Sequence, residues 1–174
     1  MVSRGAQIDD GRRRARGAAR GPLLLSALAL LAGCAAVTPL PAEDAVAQYD
    51  EVAADLTSVL AGSTGQEWTF VEHLRSVQER DGVCLYSAGA WEAGAPLSAV
   101  SAGKGWDEIV AAADPVLEEH GFTAFGRPSR SGALYSVSAT DGHGAEVELT
   151  AQGTVRIAEA EIAAQECTAE GLGL

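Results

Sequence analysis

The sequence has no apolar run long enough to cross a membrane as a helix. Its most hydrophobic run, from Leu23 to Ala32, has about ten residues, whereas a transmembrane helix needs about 20. A segment rich in arginine precedes this run and ends at Arg20. A basic start followed by a short hydrophobic region is typical of an export signal, so we expect no permanent transmembrane anchor here.

Basic residues are scarce after residue 33. Six basic and 22 acidic side chains lie between Cys34 and Leu174, which gives this part of the chain a net charge of −16. Such a surface repels phosphate backbones and anionic lipid headgroups. We therefore expect no nucleic-acid partner and no membrane contact through a basic patch. Lys104 is the only lysine, while Arg, Ala and Gly are abundant, a bias that favours a bacterial genome of high GC content.

Motifs of known catalytic chemistry are absent from the chain after Cys34. It contains no GxSxG elbow, phosphate-binding glycine loop, HExxH helix or SxxK pair, and no calcium loop of the EF-hand type. A triad assembled from distant residues stays open, because such triads are not visible as a local pattern. The sequence predicts no catalytic residue, metal site or cofactor.

The hydrophobic run ends in Leu31, Ala32, Gly33 and Cys34. This ending resembles the lipobox of bacterial lipoproteins. The resemblance implies that residues 1–33 are a cleaved signal peptide, and that Cys34 becomes the first residue and carries a thioether-linked diacylglycerol with fatty chains such as palmitate. We expect a protein held by lipid on the extracytoplasmic face of the cell membrane, or on the outer membrane in a two-membrane host. An ordinary signal peptide with an incidental cysteine is the alternative.

Two cysteines, Cys84 and Cys167, remain if Cys34 carries lipid. An even number of cysteines in an exported chain predicts a disulfide between them. Two buried thiols are the alternative. A metal site is not expected, because neither cysteine has a CxxC partner or a histidine at ligand spacing.

Elements can be predicted along most of the mature chain. Residues 34–42 contain Pro39 and Pro41 and are expected to form a tether, and residues 43–174 a single domain. Apolar spacing predicts a helix from Glu43 to Ala61, ended by Gly62, and a second from Trp106 to His120, which restarts or bends at Pro115. Two strands are expected at Glu67–Leu74 and Val83–Ser87, around the turn Asp81-Gly82, and a long loop from Ala88 to Gly105.

The last third of the sequence alternates apolar and polar residues and predicts three antiparallel strands. Matching the apolar faces places Tyr135 opposite Leu149 and Val137 opposite Val147 in the first hairpin. In the second hairpin it places Leu149 opposite Val155, Val147 opposite Ile157, and Glu148 across from Arg156. Gly153 is expected in the left-handed position of the second turn.

The order of these elements predicts an α+β domain, with an antiparallel sheet of about four to five strands and two helices packed on one face. In its lipobox, tether and small α+β domain the chain resembles small lipoproteins of actinobacteria. Only the lipobox is a specific motif in this resemblance. The rest, from Glu43 to Cys167, is a similarity of layout.

Histidine and tryptophan supply the remaining candidate site residues. His143 beside Asp141 could bind metal or act as an acid or base, but the glycines around it favour a turn. His73 and His120 are interpreted as structural. Trp91, expected in a flexible loop, could line a binding groove, whereas Trp106 could do so or pack in the core.

The sequence therefore predicts a membrane-anchored envelope protein that acts as a non-catalytic binding or interaction module. A wall-acting hydrolase, or an accessory to one, is the first alternative and would require His143 or His73 to meet a nucleophile. A carrier of a small hydrophobic ligand is the second and would require an apolar cavity between sheet and helices.

Overall fold

The computed structural model describes residues 37–100 and 104–174, and the predicted signal peptide with Cys34 lies outside this part. The described part contains helices and strands in an α+β arrangement, as the sequence predicts. Its helices are α1 (Ala42–Thr64) and α2 (Trp106–Glu119). Its strands are β1 (Leu40–Pro41), β2 (Trp68–Val71), β3 (Ser76–Arg80), β4 (Val83–Ser87), β5 (Gly89–Ala93), β6 (Ser129–Ser131), β7 (Leu134–Thr140), β8 (Glu146–Thr150), β9 (Thr154–Ala158) and β10 (Ala160–Ala163).

The strands form two sheets, so the expectation of one sheet with four to five strands is wrong. The four-stranded sheet has the order β1-β10-β4-β3, and the six-stranded sheet has the order β2-β5-β9-β8-β7-β6. Adjacent strands are antiparallel except β1 and β10, which are parallel. The strands missed from the sequence are β1, β3, β5, β6 and β10. They are short, polar or rich in small residues, and therefore lack a clear alternation of apolar side chains.

The two sheets are connected by strands that bend from one into the other. β4 continues through Ala88 into β5, and β9 continues through Glu159 into β10. Ala88 keeps the ladder continuous, because its N–H donates to the carbonyl of Ile157 at 3.0 Å. The bend uses positive φ values, 115° at Gly89 and 68° at Glu159. Small residues suit this corner, and for that reason β5 lies inside a segment whose composition suggests a loop.

Helix α1 begins after Pro41 with Glu43 and Asp44 in its first turn, where carboxylates interact favourably with the helix dipole. It ends at Gly65, which has a φ of 68° and donates its N–H to the Ala61 carbonyl at 2.9 Å. The expectation that Gly62 ends the helix is wrong, because Gly62 lies within it. The side of α1 that faces the core consists of Ala45, Tyr49, Val52, Ala53, Leu56 and Leu60.

Helix α2 is continuous from Trp106 to Glu119 although it contains Pro115. Of the two alternatives expected at Pro115, a restart or a bend, the restart does not occur. The Asp114 carboxylate instead accepts a hydrogen bond from the Phe125 N–H at 2.9 Å, in the segment that follows the helix. Asp114 therefore holds this later segment against α2 rather than starting a new turn.

The first strand, β1, lies in the segment expected to be a tether. Leu40 pairs with Ile162 and Pro41 with Ala163, and the Leu40 side chain is buried. The expectation that this segment is only a tether is therefore wrong from Leu40 onward. β1 is an edge strand, which is the position in a sheet where proline is tolerated.

The hairpin between β8 and β9 has the register predicted from the sequence. Leu149 lies opposite Val155, and Glu148 lies across from Arg156. Gly153 has a φ of 81°, as expected for the left-handed position of this turn. The apolar alternation and the turn residue together determine this hairpin.

The register predicted for β7 and β8 is wrong by two residues. Val137 pairs with Leu149, and Ala139 pairs with Val147. A shift of two keeps the same side chains on the buried face, because successive residues alternate between faces. The turn decides between the two registers, and its geometry depends on Asp141.

Candidate functional site

A disulfide joins Cys84 in β4 to Cys167, which follows β10. The structure thus contains the pair predicted from the number of cysteines. β4 and β10 are already neighbours, with Ile162 opposite Cys84. The bond therefore fastens the C-terminal segment to the four-stranded sheet.

The predicted lipidation site, Cys34, lies outside the described residues. Among residues 37–100 and 104–174, no helix is long and apolar enough to cross a membrane.

The loop between β7 and β8 is organised by the Asp141 side chain. Its Oδ1 accepts hydrogen bonds from the N–H groups of His143 at 2.8 Å and Ala145 at 2.9 Å. Its Oδ2 accepts a hydrogen bond from the Tyr49 hydroxyl of α1 at 2.8 Å. Asp141 thus serves as a turn residue, whose carboxylate accepts hydrogen bonds from its own loop and from α1.

His143 does not project freely from the loop. Its Nδ1 lies 2.6 Å from the backbone carbonyl of Thr38, to which it donates a hydrogen bond, and its own carbonyl accepts the N–H of Glu161 at 2.8 Å. The residue is half-buried. His143 therefore ties the chain before β1 to the β7–β8 loop.

We use the name β1-side pole for Val37, Thr38, Gly142, His143 and Gly144. The Thr38 N–H donates to the Gly142 carbonyl at 3.2 Å, and a side chain placed on Gly144 would come within 3.3 Å of the Val37 side chain. This pole is the point at which the described chain begins and meets the folded domain. No local sequence pattern indicates it, because the contact between His143 and Thr38 joins residues 105 positions apart.

The other two histidines occupy different places. His120 at the end of α2 lies with its Nε2 2.9 Å from the Asp55 carboxylate of α1, so the pair joins the two helices. His73 is exposed in a short 3-10 turn, Glu72–Leu74. The structure therefore does not bring His73 or His120 to His143. Among residues 37–100 and 104–174, no three His, Cys, Asp or Glu side chains are arranged to hold a metal ion.

Trp91 lies in β5, so its expected position in a flexible loop is wrong. It pairs with Phe70 of β2, and the two ring centroids are 5.1 Å apart. The Arg75 guanidinium lies 4.8 Å from the Phe70 ring centroid, donates from Nε to the Ala88 carbonyl at 3.0 Å, and forms an ion pair with Asp50. Trp91 is half-buried and packs against the core.

Phe70 and Leu74 are the exposed apolar side chains of this region. Phe70 is 36% exposed and Leu74 is 42% exposed, and they lie at the outer edge of the six-stranded sheet and in the turn that follows. We call these two residues with Trp91 the aromatic edge. The alternation of Trp68 and Phe70 indicated a strand, but not that it forms the edge of a sheet. Trp106, in contrast, is buried in the core.

Two tyrosines lie in the core with their hydroxyl groups in different environments. Tyr49 donates to Asp141, whereas the Tyr86 hydroxyl has no hydrogen-bond partner among the described residues. Burial raises the pKa of Tyr86 to about 12, and the nearby Asp50 carboxylate acts in the same direction while Arg75 opposes it. Burial and the hydrogen bond to Asp141 raise the pKa of Tyr49 further above its ordinary value. Both side chains are therefore neutral structural groups at physiological pH.

Two cavities open on the surface of the described part. One of about 640 Å³ lies between the start of α1 and the C-terminal segment, and Glu43, Glu166 and Leu172 are among its lining residues. The other, of about 120 Å³, lies near Thr64, Pro96 and Ile109. His143 and Trp91 line neither of these cavities, so the cavities do not join the residues singled out from the sequence.

No protein family model, curated protein or solved structure matches this chain.

Proposed function

We propose that this protein is a lipid-anchored lipoprotein of the cell envelope, with an extracytoplasmic domain that acts as a non-catalytic binding or interaction module. The observation that carries the proposal is the ending Leu31, Ala32, Gly33, Cys34 directly after a short apolar run. Two fatty chains are sufficient for lasting attachment to a bilayer. The attachment is to the extracytoplasmic face of the cell membrane.

The disulfide between Cys84 and Cys167 supports export by an independent route. Disulfides persist in oxidising compartments and are rare in the cytosol, where thiols are kept reduced. An exported domain with one such bond is consistent with a place outside the cell membrane.

The arrangement of the domain is part of the proposal: both helices cover the same face of the six-stranded sheet. Leu56 of α1, Leu117 of α2 and Leu149 of β8 are all fully buried and belong to one hydrophobic core. The side chains that point to the other face of the sheet include the charged pair Glu148 and Arg156. A polar outer face leaves the edges of the sheet as the places where apolar groups reach solvent.

The aromatic edge is the surface that we assign to the interaction. Phe70 and Leu74 lie within five residues of each other, and Phe70 stacks on Trp91. Exposed apolar groups that cluster, rather than occurring singly, are typical of binding surfaces. Edge strands such as β2 also offer backbone groups to a partner.

The histidine contacts favour this module over a wall-acting hydrolase. His143 donates to the backbone carbonyl of Thr38 rather than to a nucleophile, and His73 is exposed in the separate 3-10 turn Glu72–Leu74. A hydrophobic carrier would need an apolar cavity between sheet and helices. The two cavities described above lie instead at the ends of the helices, with carboxylates in their linings.

The anchor is tested by metabolic labelling with a fatty-acid probe. Wild-type protein is expected to take up the probe and to sediment with membranes, whereas the Cys34→Ala variant should do neither. Equal labelling of the two proteins would contradict lipidation at Cys34.

The interaction surface is tested by crosslinking in the host, followed by recovery of the anchored protein. Wild type is expected to recover one stoichiometric partner, and the double variant Phe70→Ser, Leu74→Ser should recover at least about tenfold less. Leu174→Ser is the matched control, because Leu174 is also 42% exposed but lies outside the aromatic edge. Equal recovery by the double variant and the control would remove the aromatic edge as the surface.

A further inference from the structure

The domain begins very close to the predicted lipid site. The backbone of Thr38 is fixed on both sides, since its N–H donates to Gly142 at 3.2 Å and its carbonyl accepts from His143 at 2.6 Å. Two residues later Leu40 is buried in β1 beside Ile162. The segment expected to be a free tether up to residue 42 is therefore part of the domain from Thr38 onward.

The distance available between the lipid and the domain follows from covalent geometry. Four peptide units separate Cys34 from Thr38, and a fully extended chain covers at most about 3.6 Å per residue, or about 14 Å in total. The headgroup layer of one leaflet is itself about 5–7 Å thick. Little room remains between the membrane and the residues held to Thr38.

We propose that the β1-side pole rests against the lipid headgroups of the membrane that holds the anchor. This inference rests on the proposed lipidation of Cys34. The short connection between Cys34 and Thr38 imposes this contact. Electrostatic attraction does not contribute, because the part of the chain after Cys34 is strongly acidic and does not attract anionic lipids. The membrane-facing side of the domain is then the loop between β7 and β8 together with Val37 and Thr38.

Gly62 lies well along α1 from this contact. The Tyr49 hydroxyl of α1 donates to Asp141, the residue before Gly142, and Gly62 lies 13 residues further along the helix. At 1.5 Å per residue, Gly62 is about 20 Å from Tyr49 along the helix axis. The pole and the end of α1 therefore offer one position near the anchor and one remote from it.

Two glycines allow these positions to be labelled with little disturbance. Gly142 in the pole and Gly62 in α1 are both exposed, and a side chain added at either would meet nothing within 4 Å. Neither has a positive φ. The variants Gly142→Cys and Gly62→Cys can therefore each carry a fluorescent label, while the Cys84–Cys167 disulfide stays intact.

The experiment uses the lipidated full-length mature protein, reconstituted into phosphatidylcholine vesicles that contain a lipid with a nitroxide on its headgroup. The nitroxide is expected to quench the label at Gly142→Cys at least about threefold more than the label at Gly62→Cys. Ten Gly and Ser residues inserted between Ala36 and Val37 add about 17 Å of root-mean-square reach. This insertion should reduce the difference between the two labels.

Failure of the anchor and failure of this inference give different results. Protein that does not float with the vesicles overturns both the lipidation and the membrane contact. Protein that floats but shows equal quenching at the two sites, or stronger quenching at Gly62→Cys, overturns the membrane contact alone. The proposed membrane contact would also be overturned if the insertion left the quenching at Gly142→Cys unchanged. The short connection between Cys34 and Thr38 would then not be what holds the label near the membrane.

Discussion

At the scale of single residues, Asp141 connects parts of the chain that are far apart in sequence. It accepts hydrogen bonds from two N–H groups of its own loop and from Tyr49, 92 residues earlier. A buried hydrogen bond to a carboxylate contributes more to stability than one between neutral groups. Asp141 thus links the loop of the β1-side pole to the core side of α1.

Removal of the Tyr49 hydroxyl is expected to destabilise the protein. Tyr49→Phe breaks the hydrogen bond to Asp141 and should lower the free energy of unfolding by about 2 kcal/mol. Tyr86→Phe is the matched control, because Tyr86 is equally buried but its hydroxyl has no partner among the described residues. We expect Tyr86→Phe to stay within about 0.5 kcal/mol of wild type or to be more stable. Urea unfolding of both variants in the Cys34→Ala background measures the difference, and equal losses would contradict the assignment.

The same tyrosines predict a loss of stability at high pH. A tyrosine in an unfolded chain has a pKa of about 10, whereas the pKa of Tyr86 in the folded protein is about 12. Because the folded state holds this proton more tightly, the stabilisation is complete below pH 10 and is lost as the pH rises through 12. The free energy of unfolding should therefore fall between pH 10 and 12, and fall less steeply in Tyr86→Phe. Identical slopes for the two proteins would count against this origin.

Single residues in the sequence predicted the local backbone conformation better than they predicted side-chain contacts and exposure. The glycines around His143 correctly indicated a turn, but the hydrogen bond to Thr38 could not be foreseen from a local pattern. The predicted position of Trp91 in a loop is wrong because the Gly and Ala residues around it suggest a loop, whereas the bend between the sheets also requires small residues. The exposure of Phe70 likewise depends on which strand forms the sheet edge, and this is a property of the tertiary fold.

At the scale of elements, apolar spacing predicted the helices and the hairpin between β8 and β9. The predicted register of β7 against β8 is wrong by two residues. Apolar alternation determines which face of a strand is buried, but registers that differ by two residues bury the same face, so the turn determines which of them forms. Here the turn keeps Thr140 opposite Glu146 and leaves Asp141 free to accept the loop N–H groups. A turn built on side-chain hydrogen bonds leaves little trace in hydrophobic patterning.

Replacing either of two glycines by alanine is expected to change stability in opposite directions, because one lies in a turn and the other in a helix. Gly153→Ala should destabilise the protein by about 2 kcal/mol, because the residue has a φ of 81° and a Cβ would lie 2.8 Å from the Ala93 Cβ. Gly62→Ala should stabilise it by about 0.5–1 kcal/mol, because Gly62 lies inside α1 with open space around it. Thermal unfolding of the two variants measures opposite shifts in Tm. A shift in the same direction for both would contradict the assigned roles.

At the scale of the whole molecule, the disulfide closes a large part of the domain into one loop. Cys84 and Cys167 are 83 residues apart. Their bond restricts the unfolded chain much more than a bond across a short loop would. It also holds the segment after β10 beside β4, which is already its neighbour in the sheet.

Loss of this bond should cost about 4 kcal/mol in the free energy of unfolding, on the chain-entropy account. The double variant Cys84→Ser, Cys167→Ser measures the loss by urea unfolding, with reduced wild type as a comparison. Wild type treated with a reductant should approach the stability of the double variant. A double variant as stable as the oxidised protein would show that the bond contributes nothing to stability.

The first and last strands of the domain, β1 and β10, lie side by side, and Leu172 near the end of the chain lines the same cleft as Glu43 at the start of α1. A reporter protein fused after Leu174 would consequently emerge beside the start of α1, and its bulk would crowd this cleft. Tags for imaging or purification are better inserted beside Gly65, at the other end of α1.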